Sequence, residues 1–320
     1  MSCSKSKTTT ETSFYYWKTV FDIDSNLKAV INDNEINRLY VRFFDIQIKN
    51  GQAIPLSPIL FKTKPDISIV PVIYIKNEVM LDSLVDLQDL AQKTYGLIEQ
   101  IAVKNNIQVE EIQLDCDWTL RSKSNYFDFI KAIKAVSQKN ITSTIRLHQV
   151  KYYQKTGIPP VDKGVLMYYN MGKILPDKSN SIYERKTAQL YLKSLLNYPL
   201  ELDVALPIYS WTIVSRNGTV INLLSKTTVQ DYTDITKFRP LDPNRFVVTE
   251  ANIKSGMFLK INDTIKVEAI SKTDMDEMVE DLSRYLKQKP ATLIYYDLDT
   301  INTTTFTDDK TFFKKTGARF

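Results

Sequence analysis

The chain contains very little glycine, cysteine and histidine. Among 320 residues there are 8 Gly, 2 Cys and 1 His. Neither GxGxxG nor GxxxxGK(S/T) occurs, which excludes the common glycine-rich cradles for nucleotide phosphates. The numbers of Cys and His also exclude a Cys/His zinc site and a disulfide framework. A calcium site lined by carboxylates stays open in principle, although no EF-hand loop is visible. We therefore expect no cofactor and no metal.

Long apolar runs and clustered charge are absent as well. No segment approaches the roughly 18 apolar residues that a membrane-spanning helix needs. The net charge is +5, but the 42 Lys and Arg are scattered among 37 Asp and Glu. Because no basic stripe forms, we do not expect nucleic-acid binding. Apolar residues at 43% and charged residues at 25% are typical of a globular domain, and we expect a monomer.

The N-terminal residues are polar and of low complexity, which predicts a disordered tether over 1–12 ahead of one folded domain at 13–320. Cys3 follows the small residue Ser2, as at the end of a bacterial lipobox. This favours lipidation of Cys3 and a place in the bacterial cell envelope, with the anchor as the membrane contact. The alternative is an unmodified Cys in a cytoplasmic protein, because no apolar signal segment precedes Cys3 here.

Strand-like apolar runs alternate with amphipathic helical runs, an order typical of a parallel sheet with crossover helices. Eight strands are predicted, at 14–21, 38–46, 69–75, 111–118, 142–148, 165–170, 202–209 and 292–298. Helices are predicted at 81–105, 126–139, 179–197 and 273–289, with weak helical signals after the first, second and fifth strands. Thr273 with Asp276 forms a capping signal for the last helix. Eight strands favour a closed (β/α)8 TIM barrel, whereas a doubly wound open sheet would normally show a glycine-rich first turn.

Residues 211–270 break this alternation before the last strand. Asn217-Gly218 separates two strand-like runs, as in a type I′ hairpin. A second hairpin is predicted around Ser255-Gly256, between runs at 246–252 and 257–261, and 264–270 adds another strand. We expect a small β-rich insertion on the C-terminal rim of the barrel.

The fourth predicted strand carries two carboxylates on one face. Polar and apolar residues alternate there, so Asp115 and Asp117 face the lumen while Cys116 and Trp118 pack outward. Two neighbouring carboxylates raise at least one pKa, which suits acid–base chemistry. The alternative is a structural ion-pair network, for which Arg146 on the fifth strand is a candidate cation.

Further candidate residues gather at the predicted C-terminal ends of strands, where barrel enzymes place their sites. His148 ends the fifth predicted strand, a position that fits a catalytic role or a hydrogen-bonded structural one. Aromatic rings at four strand ends suit stacking on sugar rings, although rings also pack in cores. The catalytic candidates are Asp115, Asp117 and His148. The substrate-binding candidates are Trp17, Thr119, Arg146, Tyr169, Asn170, Tyr209, Trp211, Tyr296 and Asp297.

The fourth strand resembles that of family-18 glycoside hydrolases, the chitinase-like barrels. In that family it reads DxxDxDxE, often with Trp before the Glu. Asp115, Asp117 and Trp118 match this pattern, whereas Ile112 replaces the first Asp and Thr119 replaces the catalytic Glu.

Two other strands and the insertion extend the resemblance. The sixth strand of the family reads MxYD; Met167 and Tyr169 match, and Asn170 replaces the Asp. The seventh commonly reads GIPFYG, and residues 205–210 read ALPIYS here. The family also often inserts an α+β segment between the seventh and eighth strands.

The resemblance implies a barrel that acts on or binds a carbohydrate, but without the standard chitinase mechanism. In that mechanism the Glu protonates the leaving oxygen and the neighbouring Asp orients the substrate's acetamido group. Thr119 cannot supply that proton, and loss of a general acid costs roughly 10²–10⁴ in rate. Three functions stay open: altered hydrolytic chemistry, which we favour here, a lectin-like barrel without turnover, and an envelope scaffold that binds protein.

Overall fold

The computed structural model describes residues 9–320, so the predicted lipidation site Cys3 lies outside the described residues. Eight parallel strands form a barrel: β1 (Glu11–Tyr16), β2 (Arg38–Lys49), β3 (Ser68–Ile75), β4 (Glu111–Cys116), β5 (Asn140–Arg146), β6 (Lys163–Met167), β7 (Leu202–Pro207) and β8 (Thr292–Tyr296). Strand β1 pairs with both β2 and β8, which closes the sheet. The predicted (β/α)8 barrel is confirmed, each strand near its expected place. Because β1 starts at Glu11, residues 11 and 12 belong to the barrel and not to the tether.

Helices occupy most of the crossovers. They are α1 (Ser25–Asp33), α2 (Asn77–Leu81), α3 (Leu87–Asn105), α4 (Lys123–Ser137), α5 (Leu147–Lys151), α6 (Tyr153–Thr156), α7 (Arg185–Leu195), α8 (Lys272–Tyr285), α9 (Thr300–Thr304) and α10 (Phe312–Gly317). Residues 50–67 between β2 and β3 form no helix; the strand Gln52–Leu56 folds back on β2 instead. Leu60–Phe61 pairs with Val20–Phe21. None of the helices in the described range is long and apolar enough to cross a membrane.

Helix α8 shows how the local sequence sets a helix start. The Ser271 hydroxyl accepts the Asp274 N–H, and the Asp274 carboxylate accepts the Ser271 N–H. The predicted capping pair, Thr273 with Asp276, was wrong because Ser271 and Asp274 offer the same spacing one half-turn earlier. The buried face of the helix is formed by Met275, Met278, Val279 and Leu282.

Side chains fill the barrel lumen, which leaves room for a site at its mouth. The buried Tyr15 hydroxyl donates to Gln113 Oε1 at 2.6 Å in the middle of the lumen. Towards the N-terminal end, Lys163 and Asp203 form an ion pair at 3.0 Å. This packing is typical of closed eight-stranded barrels, whose interior is a core and not a channel.

The insertion is a five-stranded antiparallel sheet with its own core. Its strands, in spatial order, are Thr219–Ser225, Trp211–Arg216, Thr264–Glu268, Arg245–Val248 and Phe238–Asp242. Asn217 and Gly218 both have positive φ, as the predicted hairpin turn requires. The second hairpin joins Asn252–Lys254 to Met257–Leu259 and is shorter than expected, because residues 245–248 pair with the larger sheet instead.

Gly164 in β6 is a position where only a hydrogen atom fits. A Cβ there would lie 2.8 Å from Leu202 Cδ2 and 2.9 Å from Ile145 Cγ1, both in the packed core. Gly164→Ala should therefore destabilise the fold by about 1–3 kcal/mol through overpacking. Urea denaturation measures this change.

Gly96 in α3 provides the matched control, because nothing lies within 4 Å of a Cβ added there. Gly96→Ala should stabilise the protein by about 0.5–1 kcal/mol, as expected for Ala in a helix interior. Equal stability of the two variants would contradict the packing seen around β6.

Candidate functional site

The barrel mouth opens into a cavity of about 360 Å³ at the C-terminal ends of the strands. Its walls come from the ends of β1, β4, β6, β7 and β8, from the insertion, and from α9. The lining residues are Trp17, Asp115, Met167, Tyr169, Asn170, Tyr209, Ser210, Trp211, Ser225, Lys226, Tyr296, Asp297 and Asn302. We call this the main cavity.

A second cavity of about 280 Å³ adjoins it and shares Met167, Tyr169 and Asn170 with it. Asp117, Arg146 and His148 line this side cavity. The main and side cavities together form what we call the mouth cleft. All of the predicted catalytic and substrate-binding residues except Thr119 line one of its two parts.

Tyr296 is the centre of an aromatic cluster that lines the main cavity. Its ring centroid lies 5.6 Å from those of Tyr15 and Trp17, 5.7 Å from Tyr209 and 5.8 Å from Tyr169. Most pairs are tilted or edge-to-face, and the Tyr169 pair is close to parallel, arrangements that stabilise aromatic contacts. The cluster joins β1, β6, β7 and β8 and gives the cavity a rigid apolar floor.

Hydrogen bonds fix the orientation of the aromatic walls. The Tyr209 hydroxyl donates to Asn170 Oδ1 at 2.5 Å. The Trp211 indole N–H donates to Glu268 Oε2 at 2.8 Å, and Glu268 is itself paired with Lys266 at 2.6 Å. The insertion therefore holds Trp211 against the barrel mouth through a buried charged pair.

Asp115 lies deep in the main cavity. Its Oδ1 accepts a hydrogen bond from Thr144 Oγ1 at 2.7 Å. Burial raises the pKa of Asp115 to about 6; Thr144 and Arg146 oppose this rise, and the Asp117 charge adds to it. The prediction that Asp115 faces inward is confirmed by its position in the cavity wall.

Asp297 is the second carboxylate that lines the main cavity, and it is buried. Its Oδ1 accepts from Asn302 Nδ2 at 2.5 Å. Burial raises the pKa of Asp297 to about 6. The positive charge of Lys226 opposes this rise, and the negative charge of Asp299 adds to it. Asp299 itself is paired with Lys226 at 2.8 Å and Lys18 at 3.0 Å.

In the side cavity, Asp117 and His148 do not lie where the sequence predicted them. Strand β4 ends at Cys116, so Asp117 lies beyond the strand with 57% of its side chain exposed, at the rim and not in the lumen. Asp117 forms an ion pair with Arg146 at 3.1 Å. For this carboxylate the structure therefore agrees with the structural ion pair that the sequence analysis gave as the alternative to acid–base chemistry. Cys116 and Trp118 are buried as predicted, with Trp118 stacked on Tyr126 of α4.

His148 lies in helix α5 and not at the end of the fifth strand, because β5 already ends at Arg146. Partial burial and the Arg146 charge lower the pKa of the imidazole, and Asp117 opposes the shift. Among the described residues, none forms a hydrogen bond with this imidazole. It therefore lacks the orienting partner that a catalytic histidine usually has.

Thr119 is exposed and lies outside both cavities. Its N–H donates to Ser122 Oγ at 2.8 Å, and Ser122 donates to Asn77. These contacts hold the turn that leads into α4. The cleft-lining carboxylates of residues 9–320 are Asp115, Asp117 and Asp297, so no glutamate takes the place of the missing acid.

Asn302 and Lys226 are site residues that the sequence analysis did not find. Asn302 reaches the cavity from α9, five residues after Asp297. Lys226 follows the first insertion hairpin. Neither residue belongs to a pattern that could have indicated its role, because both approach the site through tertiary packing.

No family model and no curated protein sequence matches the chain. Solved structures match it over nearly its whole length. The spore cortex-lytic enzyme SleL of Bacillus cereus is 13% identical, with 97% of this chain and 74% of that chain covered, at a TM-score of 0.55. A mutant GH18 chitinase from Cycas revoluta in complex with (GlcNAc)4 is 11% identical, with 96% and 98% covered, at 0.51. A chitinase from Bacteroides thetaiotaomicron is 9% identical, with 91% and 90% covered, at 0.51.

The chain has the fold of the GH18 chitinases. Together with the closed eight-stranded barrel, these matches confirm the resemblance inferred from the strand motifs at the level of the fold. The chitinase-fold barrel described here is divergent, because its sequence identity to each of these structures is low and its fourth strand lacks the catalytic Glu.

Asp115 should make the stability of this chitinase-fold barrel depend on pH. Folding raises the pKa of its carboxyl group from an ordinary 3.8 to about 6. Protonation of this group therefore contributes to stability in full below pH 3.8, and the contribution is lost as the pH rises through 6. Asp115→Asn removes that loss and keeps an acceptor for Thr144. The variant should exceed wild type by about 2–3 kcal/mol at pH 8 and match it near pH 4.

Urea denaturation at the two pH values measures this difference in unfolding free energy. Glu250→Gln, in an exposed loop of the insertion, is the control and should change stability equally little at both pH values, because this side chain forms no ion pair in the described chain. Parallel curves for wild type and Asp115→Asn would contradict the burial of this carboxylate.

Proposed function

We propose that this protein binds a carbohydrate in the mouth cleft and does not hydrolyse it by the chitinase mechanism. The observation that carries the proposal is the aromatic floor around Tyr296, which lines an open cavity beside Asp115 and Asp297. A sugar ring presents apolar C–H faces that pack on aromatic rings and hydroxyls that bond to carboxylates and amides. Such a mixture of apolar walls and a few polar groups is typical of small-ligand sites.

The place of the cleft supports the same proposal. Barrels of this kind hold their ligands at the C-terminal end of the strands, where the mouth cleft lies. A structural neighbour, the Cycas revoluta chitinase, was solved with (GlcNAc)4 bound. We therefore take oligosaccharides built on glucosamine as the first ligands to test.

The geometry favours binding without turnover over the altered hydrolysis that the sequence suggested. Thr119 lies outside the cleft, Asp117 is paired with Arg146, and the imidazole of His148 has no hydrogen-bond partner in the described chain. For a pure scaffold we expected side chains to fill the barrel mouth. The mouth instead contains a cavity of about 360 Å³.

Hydrolysis that does not use the acid position at residue 119 is a second candidate function, and one observation supports it. Asp115 and Asp297 line one cavity, and burial raises the pKa of each to about 6. Either could hold a proton near neutral pH, as a general acid must.

The lipid anchor remains a separate proposal. It rests on Ser2-Cys3 and the polar segment that follows, and it would place the barrel in the cell envelope. Metabolic labelling with a fatty acid, compared between wild type and Cys3→Ser, tests it; label retained by Cys3→Ser would exclude this site.

Trp17 should be a main contact for the ligand, since it lies partly exposed at the edge of the aromatic floor. Trp17→Ala should weaken binding of (GlcNAc)4 at least tenfold, as expected when a tryptophan ring that packs on the ligand is removed. Isothermal titration calorimetry measures the affinity. Tyr152→Ala, which removes an exposed ring outside the mouth cleft, is the control and should bind like wild type. Unchanged affinity in Trp17→Ala would contradict the proposed location.

Neither wild type nor Thr119→Glu should release the chromophore from an aryl glycoside of N-acetylglucosamine. A carboxyl group at position 119 would stand at the exposed start of α4, outside the cleft. Product release is followed by absorbance over several pH values. Turnover by wild type that disappears in Asp297→Asn would instead support the second candidate.

A further inference from the structure

The buried carboxylates of this protein differ in whether they have a cationic partner. Five of the buried acidic residues form ion pairs within the chain; they are Asp203, Asp263, Glu268, Asp281 and Asp299. Asp297 is buried to 6% exposure yet forms no ion pair with any residue of the described range. Asp115, which lines the same cavity and is half-buried, likewise has none. The one buried exception, Asp297, and the half-buried Asp115 thus both line the main cavity.

Each of these carboxylates also keeps one oxygen free. Oδ1 of Asp115 accepts from Thr144, and Oδ1 of Asp297 accepts from Asn302. The Oδ2 atom of each accepts no hydrogen bond from another residue in the described part of the chain. Leaving a buried ionised group without a partner costs folding free energy, so a partner from outside the chain is the natural complement.

Asn302 adds a third acceptor to the same wall. It is 2% exposed, and its Nδ2 donates to both the side chain and the main-chain oxygen of Asp297, at 2.5 and 3.3 Å. Because both of these partners are acceptors, the amide cannot be turned round. Its Oδ1 is thereby fixed as an acceptor, and it receives no hydrogen bond from the residues that the structure describes.

The cations near the cleft are already engaged. Lys226 lines the main cavity but pairs with Asp299, as does Lys18. Arg146 in the side cavity pairs with Asp117 and donates to the Trp118 carbonyl at 2.7 Å. The main cavity thus offers acceptors and negative charge to a ligand.

The aromatic floor suits a cationic ligand as well. A cation over the face of Trp or Tyr is attracted by the ring quadrupole, most strongly where water is excluded. Trp17, Tyr169, Tyr209 and Tyr296 all line the cavity that holds Asp115 and Asp297. Rings with adjacent carboxylates are the general chemistry by which proteins hold ammonium groups.

We infer that the sugar bound in the main cavity carries a protonated amine in place of an acetamido group, and that Asp297, Asn302 and Asp115 with the surrounding rings receive it. The inference rests on the proposed function and names the ligand class for the same site. An ammonium group supplies three donors and a positive charge, whereas an acetamido group is neutral and supplies one donor. The ligand is therefore an oligosaccharide of free glucosamine, (GlcN)n.

The test compares two ligands that differ in this group alone. Isothermal titration calorimetry near pH 6.5, where a large fraction of the amines is protonated, should give at least tenfold tighter binding of (GlcN)4 than of (GlcNAc)4. Asp297→Asn should lower the affinity for (GlcN)4 more than that for (GlcNAc)4, so that the ratio falls towards one. Asp89→Asn, on the exposed surface of α3, should keep the wild-type ratio.

The outcomes separate the two proposals. Equal or weaker binding of (GlcN)4 by wild type overturns the inference and leaves carbohydrate binding in place. Absence of binding for both ligands overturns the proposed function and the inference with it. The comparison of the two ligands with wild type tests the inference even if Asp297→Asn does not fold. In that case Asp115→Asn serves as the second variant, and we expect it to lower the ratio of the affinities for (GlcN)4 and (GlcNAc)4.

Discussion

Strand β1 pairs with β2 on one side and β8 on the other, and the site depends on this closure. The pairing of β1 with β8, continued by the Leu298 N–H to the Tyr15 carbonyl at 2.7 Å, brings the two ends of the chain together. It places Trp17 beside Tyr296, residues that lie far apart in sequence. Without that contact the aromatic cluster would lose its connection between the first and last strands, and the main cavity would lose its floor.

The insertion is as much a part of the site as the barrel. It contributes Trp211, Ser225 and Lys226 to the main cavity. Its sheet is fastened to the barrel by Glu268, which accepts from Ser181 in the loop after β6 and, within the insertion, from Trp211. A buried charged group costs free energy unless it is fully bonded, so this connection also fixes the position of the sheet. The wall that the insertion contributes to the cleft is therefore held in place by a contact with the loop after β6.

The alternation of strands and helices was enough to predict the barrel. Side-chain parity on the fourth strand placed Asp115 correctly in the mouth, and position at a strand end did the same for Tyr169 and Tyr296. The rule that alternate residues face the lumen no longer applies beyond the end of a strand. Since β4 ends at Cys116 and β5 at Arg146, the residues beyond them follow loop and helix geometry, which moved Asp117 and His148 to the rim. Residues that arrive from α9 or the insertion, such as Asn302, carry no periodic signal, because only tertiary packing brings them to the cleft.

The charges that remain in the cleft argue for ligand binding more strongly than any motif does. A carboxylate whose pKa is raised by burial destabilises the fold at neutral pH, and an asparagine would remove that cost at both Asp115 and Asp297. Elsewhere in the described chain the buried acidic residues have cationic partners, so the fold can supply such partners when structure alone requires them. Unpaired carboxylates that lower stability are expected where function needs them. Their position on the wall of one open cavity, over a floor of aromatic rings, is why we propose a ligand as the partner that completes the site.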